Sequence, residues 1–180
     1  MKLAVITIIL ILIIIPAIYG YYGGFSPIVI RTDIHGGEVI VYEAVKGDYK
    51  QTKEVTGKVY YALLNEDKIE TTRGFGIFYD NPKKVAKDQL RSEVGCLLDN
   101  PTPETIARLS KKYSIKTLPM ARNLVVEFPM KGFPSIIIGV MRVYPAIEKY
   151  SIEHGLKESP IMEIYDVPNY KMIYRKEVVE

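Results

Sequence analysis

Between Leu3 and Ile15 every position but Thr7 is aliphatic, and after Lys2 no charged side chain occurs until Arg31. Such a run has no polar side to offer water, unlike a core helix with a single apolar stripe. A membrane-spanning helix needs about 20 mostly apolar residues. The run reaches that length when Pro16–Tyr22 is counted in the interface. There Tyr19, Tyr21 and Tyr22 would each place an apolar ring and a polar tip. Residues 1–22 therefore read as an N-terminal transmembrane anchor, with residues 3–22 in contact with a lipid bilayer. The rival reading is a cleaved secretory signal, with Lys2 ahead of an Ala4–Ile15 apolar core. Its weakness is the cleavage site, because Ala17 and Gly20 lack the required spacing of small residues.

Beyond the anchor the pattern changes. Residues 23–37 read as a juxtamembrane linker, and residues 38–180 as one globular domain. Glu38–Lys46 alternates and is rich in β-branched residues, which predicts a strand. Val55, Val59, Ala62 and Leu63 recur at helical spacing within Lys50–Glu66, behind Asp48 as N-cap. Strands follow at Arg73–Tyr79 and Leu90–Leu97, separated by the turn residues Asp80-Asn81-Pro82. Thr102 before Pro103 marks the start of a short helix reaching Tyr113. Ile115–Met120 and Asn123–Phe128 are predicted strands. A long helix runs from Phe133 to His154, with Gly155 as its stop and Pro145 expected to kink or divide it. Ile161–Tyr165 and Tyr170–Arg175 close the chain around a Pro168-Asn169 turn. The order strand–helix–strand–strand thus occurs twice, which predicts an α+β fold of two tandem modules whose sheets meet at a cleft.

Charge narrows the partners. The net charge is +3, smaller and less clustered than a nucleic-acid binder usually carries, so no nucleic-acid partner is expected. The densest basic cluster, Lys83, Lys84, Lys87 and Arg91, reads as solvated surface. Cys96 is the only cysteine, so no internal disulfide can form. Asn100-Pro101-Thr102 fails as a glycosylation acceptor because proline holds the middle position. Both facts fit a cytosol-facing domain. The positive-inside rule is nearly silent, with Lys2 alone before the apolar run.

Candidate chemistry centres on one carboxylate. Alternation along the closing strand puts Glu163 and Tyr165 on one face, opposite Met162 and Ile164. In a partly closed apolar cleft, desolvation would disfavour the Glu163 charge and a bound cation would restore it. Fourteen tyrosines against five phenylalanines offer flat apolar area with polar tips; Tyr42, Tyr60, Tyr61, Tyr79 and Tyr144 could line a pocket. His35 and His154 lie far apart and Cys96 stands alone, so neither a metal nor another cofactor is expected. Gly74-Phe75-Gly76 falls inside a strand and is no phosphate loop.

Gly76-Ile77-Phe78-Tyr79-Asp80-Asn81-Pro82, Leu90–Leu98, Val143-Tyr144-Pro145-Ala146-Ile147 and Pro160–Tyr165 together resemble the GyrI-like effector-binding domain. With the N-terminal apolar helix the chain is similar to a membrane-anchored branch of that family. The resemblance implies two tandem modules and a cleft for cationic or aromatic small molecules. It places Glu163 at the pocket glutamate, with Tyr165, Tyr42, Tyr79 and Tyr144 as ligand-binding candidates. Some relatives are hydrolases that open strained rings with a glutamate and a tyrosine, so hydrolysis by Glu163 and a tyrosine is the alternative to binding. The anchored branch faces the cytosol from the endoplasmic reticulum and serves selective autophagy, through protein partners that engage a disordered tail. In a prokaryote the host would be the cell membrane. The sequence ends at Glu180, just past the last predicted strand, and Tyr170-Lys171-Met172-Ile173 falls within that strand. The receptor role is therefore not expected to carry over, although a protein partner remains an expectation.

Overall fold

The computed structural model describes residues 2–179 and, within them, the side chains of all but residues 2–5 and 8. Met1 and Glu180, at the ends of the expected anchor and domain, lie outside the described residues. The first element, α1 (Lys2–Tyr21), is a 20-residue helix, roughly 30 Å long at the α-helical rise. Its described isoleucines and leucines from Ile6 to Ile18 are exposed. Over the described side chains alone, no helix is long and apolar enough to cross a membrane.

Strand β1 (Arg31–His35) follows, then β2 (Val39–Lys46) and α2 (Thr52–Asn65). A single 3₁₀ turn, Tyr49–Gln51, leads into α2, and the Asp48 carboxylate caps it by accepting from Lys50 N. Next come β3 (Arg73–Phe78), β4 (Arg91–Leu98), α3 (Pro103–Leu109), β5 (Ser114–Thr117) and β6 (Ala121–Pro129). The chain closes with α4 (Phe133–Glu153), β7 (Ile161–Asp166) and β8 (Lys171–Glu177). The expected modules are present as β2-α2-β3-β4 and β6-α4-β7-β8, with α3 and β5 between them.

One expectation is corrected and another is narrowed. The stretch 23–37 contains a strand, because β1 pairs antiparallel with β6 from Arg31↔Val125 to His35↔Ala121. Pro145 does not divide α4, which runs unbroken through it. Pro145 and Met141 both lie on the exposed side of the helix, where water can take up the carbonyl that proline leaves without a donor.

All strands join one sheet in the order β1-β6-β8-β7-β3-β4-β2-β5, and the two modules meet where β3 pairs with β7. The linkers force this sheet to curl. In a flat sheet β1 and β2 would stand roughly 29 Å apart at the usual strand spacing. Gly36, Gly37 and Glu38, which join them, span at most about 14 Å. Leu118–Met120 imposes the same limit between β5 and β6. The two bridges also bond to each other, Gly37 N to Leu118 O at 2.8 Å and Leu118 N to Glu38 O at 2.9 Å.

The curl produces two kinds of core. On the face without helices, Ile40, Phe75, Ile77, Leu97, Met162 and Ile164 bury one another. Arg175 of β8 reaches Glu38 at 2.6 Å there. On the other face α4 covers Leu124, Val126, Phe128, Met172 and Tyr174, while α2 covers Val41, Cys96 and Leu98 through Val59 and Leu63. Burial pushes the Cys96 thiol up, as for an inert core cysteine.

Asp67, just past α2, ties that helix to the α3 region. Its buried carboxylate accepts from Tyr113 Oη at 2.7 Å, Arg108 Nη1 at 2.6 Å and Lys112 Nζ at 3.1 Å. Burial alone would raise this acid, but the Tyr113 hydroxyl, Lys112 and Arg108 hold it below the usual carboxylate range. Burial first, and the bond to Asp67 second, push the Tyr113 hydroxyl up to about 12. A depressed acid stabilises the fold above its unfolded pKa and loses that contribution as pH falls through its folded one. Asp67→Asn should therefore cost about 1–2 kcal/mol at neutral pH. Urea titrations of the two proteins should converge as pH falls below about 4.

Candidate ligand-binding groove

Register decides which predicted residues meet. Paired residues in adjacent antiparallel strands share a face. Glu163 pairs with Gly76 in β3 and Tyr174 in β8, and Gly76 pairs with Val94 in β4. The next row on that face is Cys96, Gly74, Tyr165 and Met172. Both rows lie on the helix-bearing face, and β3 and β7 run between α2 and α4. Glycine at 74 and 76 leaves the floor low there. A Cβ on Gly74 would lie 3.5 Å from the Thr56 methyl of α2 and 4.0 Å from the Tyr165 ring. At Gly76 the space is taken by the Phe78 ring, which packs edge-on against Tyr49 at 4.8 Å.

Glu163 lies on this face of the sheet, beneath Tyr144 of α4, and is 3% exposed. Tyr144 of α4 donates to its Oε1 at 2.6 Å, and Tyr165 donates to Oε2 at 2.5 Å. Burial raises the carboxyl pKa, and the two hydroxyl bonds only partly offset that. Burial first, and the nearby Glu163 charge second, push both tyrosine hydroxyls well above their ordinary value. Tyr174 completes the nest, edge-on to Tyr144 at 6.0 Å. A Cβ on Gly139 would lie 2.4 Å from the Tyr174 hydroxyl, so α4 can approach this tyrosine only with glycine there.

Of the sequence candidates, Glu163, Tyr165 and Tyr144 come together. Tyr42 and Tyr79 do not join them. Tyr42 pairs with Gly95, in the row of Phe75 and Ile164 on the helix-free face. Tyr79 lies on that face too, where burial first and a bond to Glu93 second raise its hydroxyl pKa. Lys116 reaches Glu93 at 2.5 Å and stands 4.8 Å above the Tyr42 ring. Tyr60 and Tyr61 pack edge-on to each other on α2 at 5.2 Å. His35 lies 3.4 Å from Asp33, and His154 stacks on Tyr150 at 3.8 Å. In the basic cluster Lys84 pairs with Glu158, Lys87 with Asp48 and Arg91 with Asp80.

Sequence reasoning missed the apolar wall. Phe133, Ile137, Val140 and Tyr144 follow at spacings of four, three and four, one stripe of α4. The first three are 59%, 47% and 38% exposed. Lys53 of α2 stands 5.3 Å over the Phe133 ring, so this stripe faces α2 across the groove. The spacing was visible in the sequence, but a helix stripe ordinarily meets a core.

Over 100 residues the chain is 35% identical to testis-expressed protein 264 of Homo sapiens and 34% identical to its Mus musculus homolog; each match covers 52% of this chain and 32% of the relative. The chain thus spans about a third of the length of the curated relatives it matches. Among solved structures it is similar to the EcmrR C-terminal domain, with a TM-score of 0.57 at 8% identity, covering 85% of this chain and 98% of that one. In the EcmrR–DNA complex the values are 0.59 at 10%, covering 99% and 70%. A transcription regulation protein from Staphylococcus aureus gives 0.51 at 12%, covering 86% and 99%. No family model matches the chain. The α+β fold, with its eight-stranded antiparallel sheet and four helices among the described residues, is shared with these solved structures, the EcmrR C-terminal domain among them.

Proposed function

We propose that this chain is a membrane-anchored GyrI-like domain that binds a small cationic or aromatic molecule between α2 and α4, with Glu163 as the selecting charge. The observation that carries this reading is the Glu163 nest. A buried carboxylate bonded by two neutral hydroxyls keeps an unbalanced charge when ionised, and a cation entering beside it supplies the balance. The tyrosine rings add flat faces that attract such a cation. Glu163→Gln keeps the shape and removes the charge. It should weaken an aryl quaternary ammonium by about 2–5 kcal/mol and a neutral isostere far less. Calorimetric titration of both proteins with both compounds is the measurement, and equal affinities would remove Glu163 from the site.

The anchor reading draws on α1, with its exposed aliphatic side chains and tyrosines at its end. In a eukaryotic cell the host would be the endoplasmic reticulum, with the domain on the cytosolic side; otherwise it would be the cell membrane. The full chain should stay with membranes through an alkaline carbonate wash and keep its N-terminus by mass spectrometry. Release into the supernatant, or a mature terminus near Tyr21, would overturn it.

The hydrolase alternative has one observation in its favour, the convergence of Tyr144 and Tyr165 on Glu163. Those groups are bonded to one another, however, and a reacting atom needs free reach to both. Binding is the reading the geometry supports better.

A further inference from the structure

We infer that the occupant of the groove is a single-chain cationic amphiphile taken from the bilayer, with its head at Glu163 and its tail along α4 toward the end of α1. This rests on the proposed anchor and on Glu163 as the charge. Four observations carry it further.

The apolar stripe Val140, Ile137 and Phe133 leads away from Tyr144, and thus from Glu163, as one continuous row. A compact water-soluble cation would leave that row uncovered. The row also ends beside α1. Gly132 precedes Phe133, and a Cβ there would lie 3.7 Å from the Tyr22 ring. Lys131 stands 4.6 Å over the Tyr21 ring. The apolar path therefore begins where α1 delivers the chain to the domain.

The segment that follows α1 is held in place. Arg142 Nη1 donates to Gly23 O at 2.9 Å and Ser26 O at 2.7 Å. Gly23, at φ 93°, lies so close to Pro129 that a Cβ would approach within 2.7 Å. These contacts fasten the segment after α1 to the β6 side of α4, on the flank opposite the apolar row, since nine residues separate Arg142 from Phe133, about half a turn around the helix. Lys131 and Lys53 flank the Phe133 end of the row, and cations at that depth suit an anionic lipid surface.

Length fixes the class. The eleven residues from Phe133 to Tyr144 rise roughly 16 Å along the helix. At ordinary carbon–carbon bond lengths that matches an alkyl tail of about a dozen carbons. One stripe one side chain wide accommodates one tail. One turn past Lys53 in α2, Gly57 has open space around it, since a Cβ there would touch nothing within 4 Å.

The test uses the full chain in lipid nanodiscs and n-alkyltrimethylammonium ions from two to sixteen carbons, below their micelle concentrations. Affinity should rise at least a hundredfold from the shortest tail to about twelve carbons and then level. Ile137→Gln should erase most of that rise while leaving the shortest ion unchanged, and Glu163→Gln should weaken every member at least tenfold. A dodecyl probe carrying a diazirine at its last carbon should label the Lys131–Ile137 segment. Glu163-dependent binding with no dependence on tail length would overturn the amphiphile and leave the Glu163 site standing. Length-dependent binding indifferent to Glu163→Gln would overturn the charge reading and, with it, this inference. Labelling confined to other segments would overturn the stated direction of the tail.

Discussion

Glu163→Gln is expected to make the domain more stable at neutral pH while weakening cation binding. Burial raises the Glu163 pKa in the fold, so the native state favours the protonated acid. As pH rises above the unfolded value near 4.3, the unfolded chain ionises first and the fold loses stability, until pH passes the raised folded value. Glutamine has no charge to bury and avoids that loss. The gain should appear at pH 7 as a higher Tm for the glutamine variant. It should vanish below about pH 4. Thermal melts of both proteins across this range decide the matter. A variant less stable at every pH would mean that the carboxylate is a structural brace, not a group kept at a cost for binding.

The largest loss of stability is expected at Gly95. A Cβ there would sit 2.0 Å from the Val41 carbonyl oxygen and 3.0 Å from Tyr42 Cα. Both neighbours are backbone of the paired strand β2, so no side chain can rotate out of the way. Gly95→Ala must push β2 and β4 apart in the middle of their ladder, where Tyr42↔Gly95 is one of the pairs. The cost should be about 3 kcal/mol or more, read as a lower urea midpoint with an unchanged slope. Gly57→Ala, with open space around its Cβ, is the control and should be neutral or slightly stabilising.

The sequence made the repeated strand–helix–strand–strand order legible because each element carries a strong period and clear punctuation. Thr102 before Pro103 behaves as expected, its hydroxyl accepting from Thr105 N at 3.2 Å. Strand β1 was hidden because Arg31-Thr32-Asp33-Ile34-His35 has no apolar alternation and is mostly exposed; its pairing with β6 creates it. Within the site, Glu163 and Tyr165 follow from alternation along one strand. The faces of Tyr42 and Tyr79 do not follow, because they depend on the registers of β2 on β4, β4 on β3 and β3 on β7. Tyrosine count suggested an aromatic pocket, and registry divided those tyrosines between opposite faces of the sheet.

The paired bridges Gly36–Glu38 and Leu118–Met120 restrict how the groove can work. The modules are joined along the β3–β7 seam and stitched a second time at the far ends of the sheet. A clamshell hinge would need both joints to yield together, breaking ladder bonds on one side and bridge bonds on the other. Adaptation to an occupant must instead come from rotation of Tyr144, Tyr165 and Phe78 and from small shifts of α2 and α4 over a fixed floor. Such motions occur on faster timescales than domain closure. Entry should therefore be limited by diffusion along the groove, and selectivity by how far a few aromatic rings can turn.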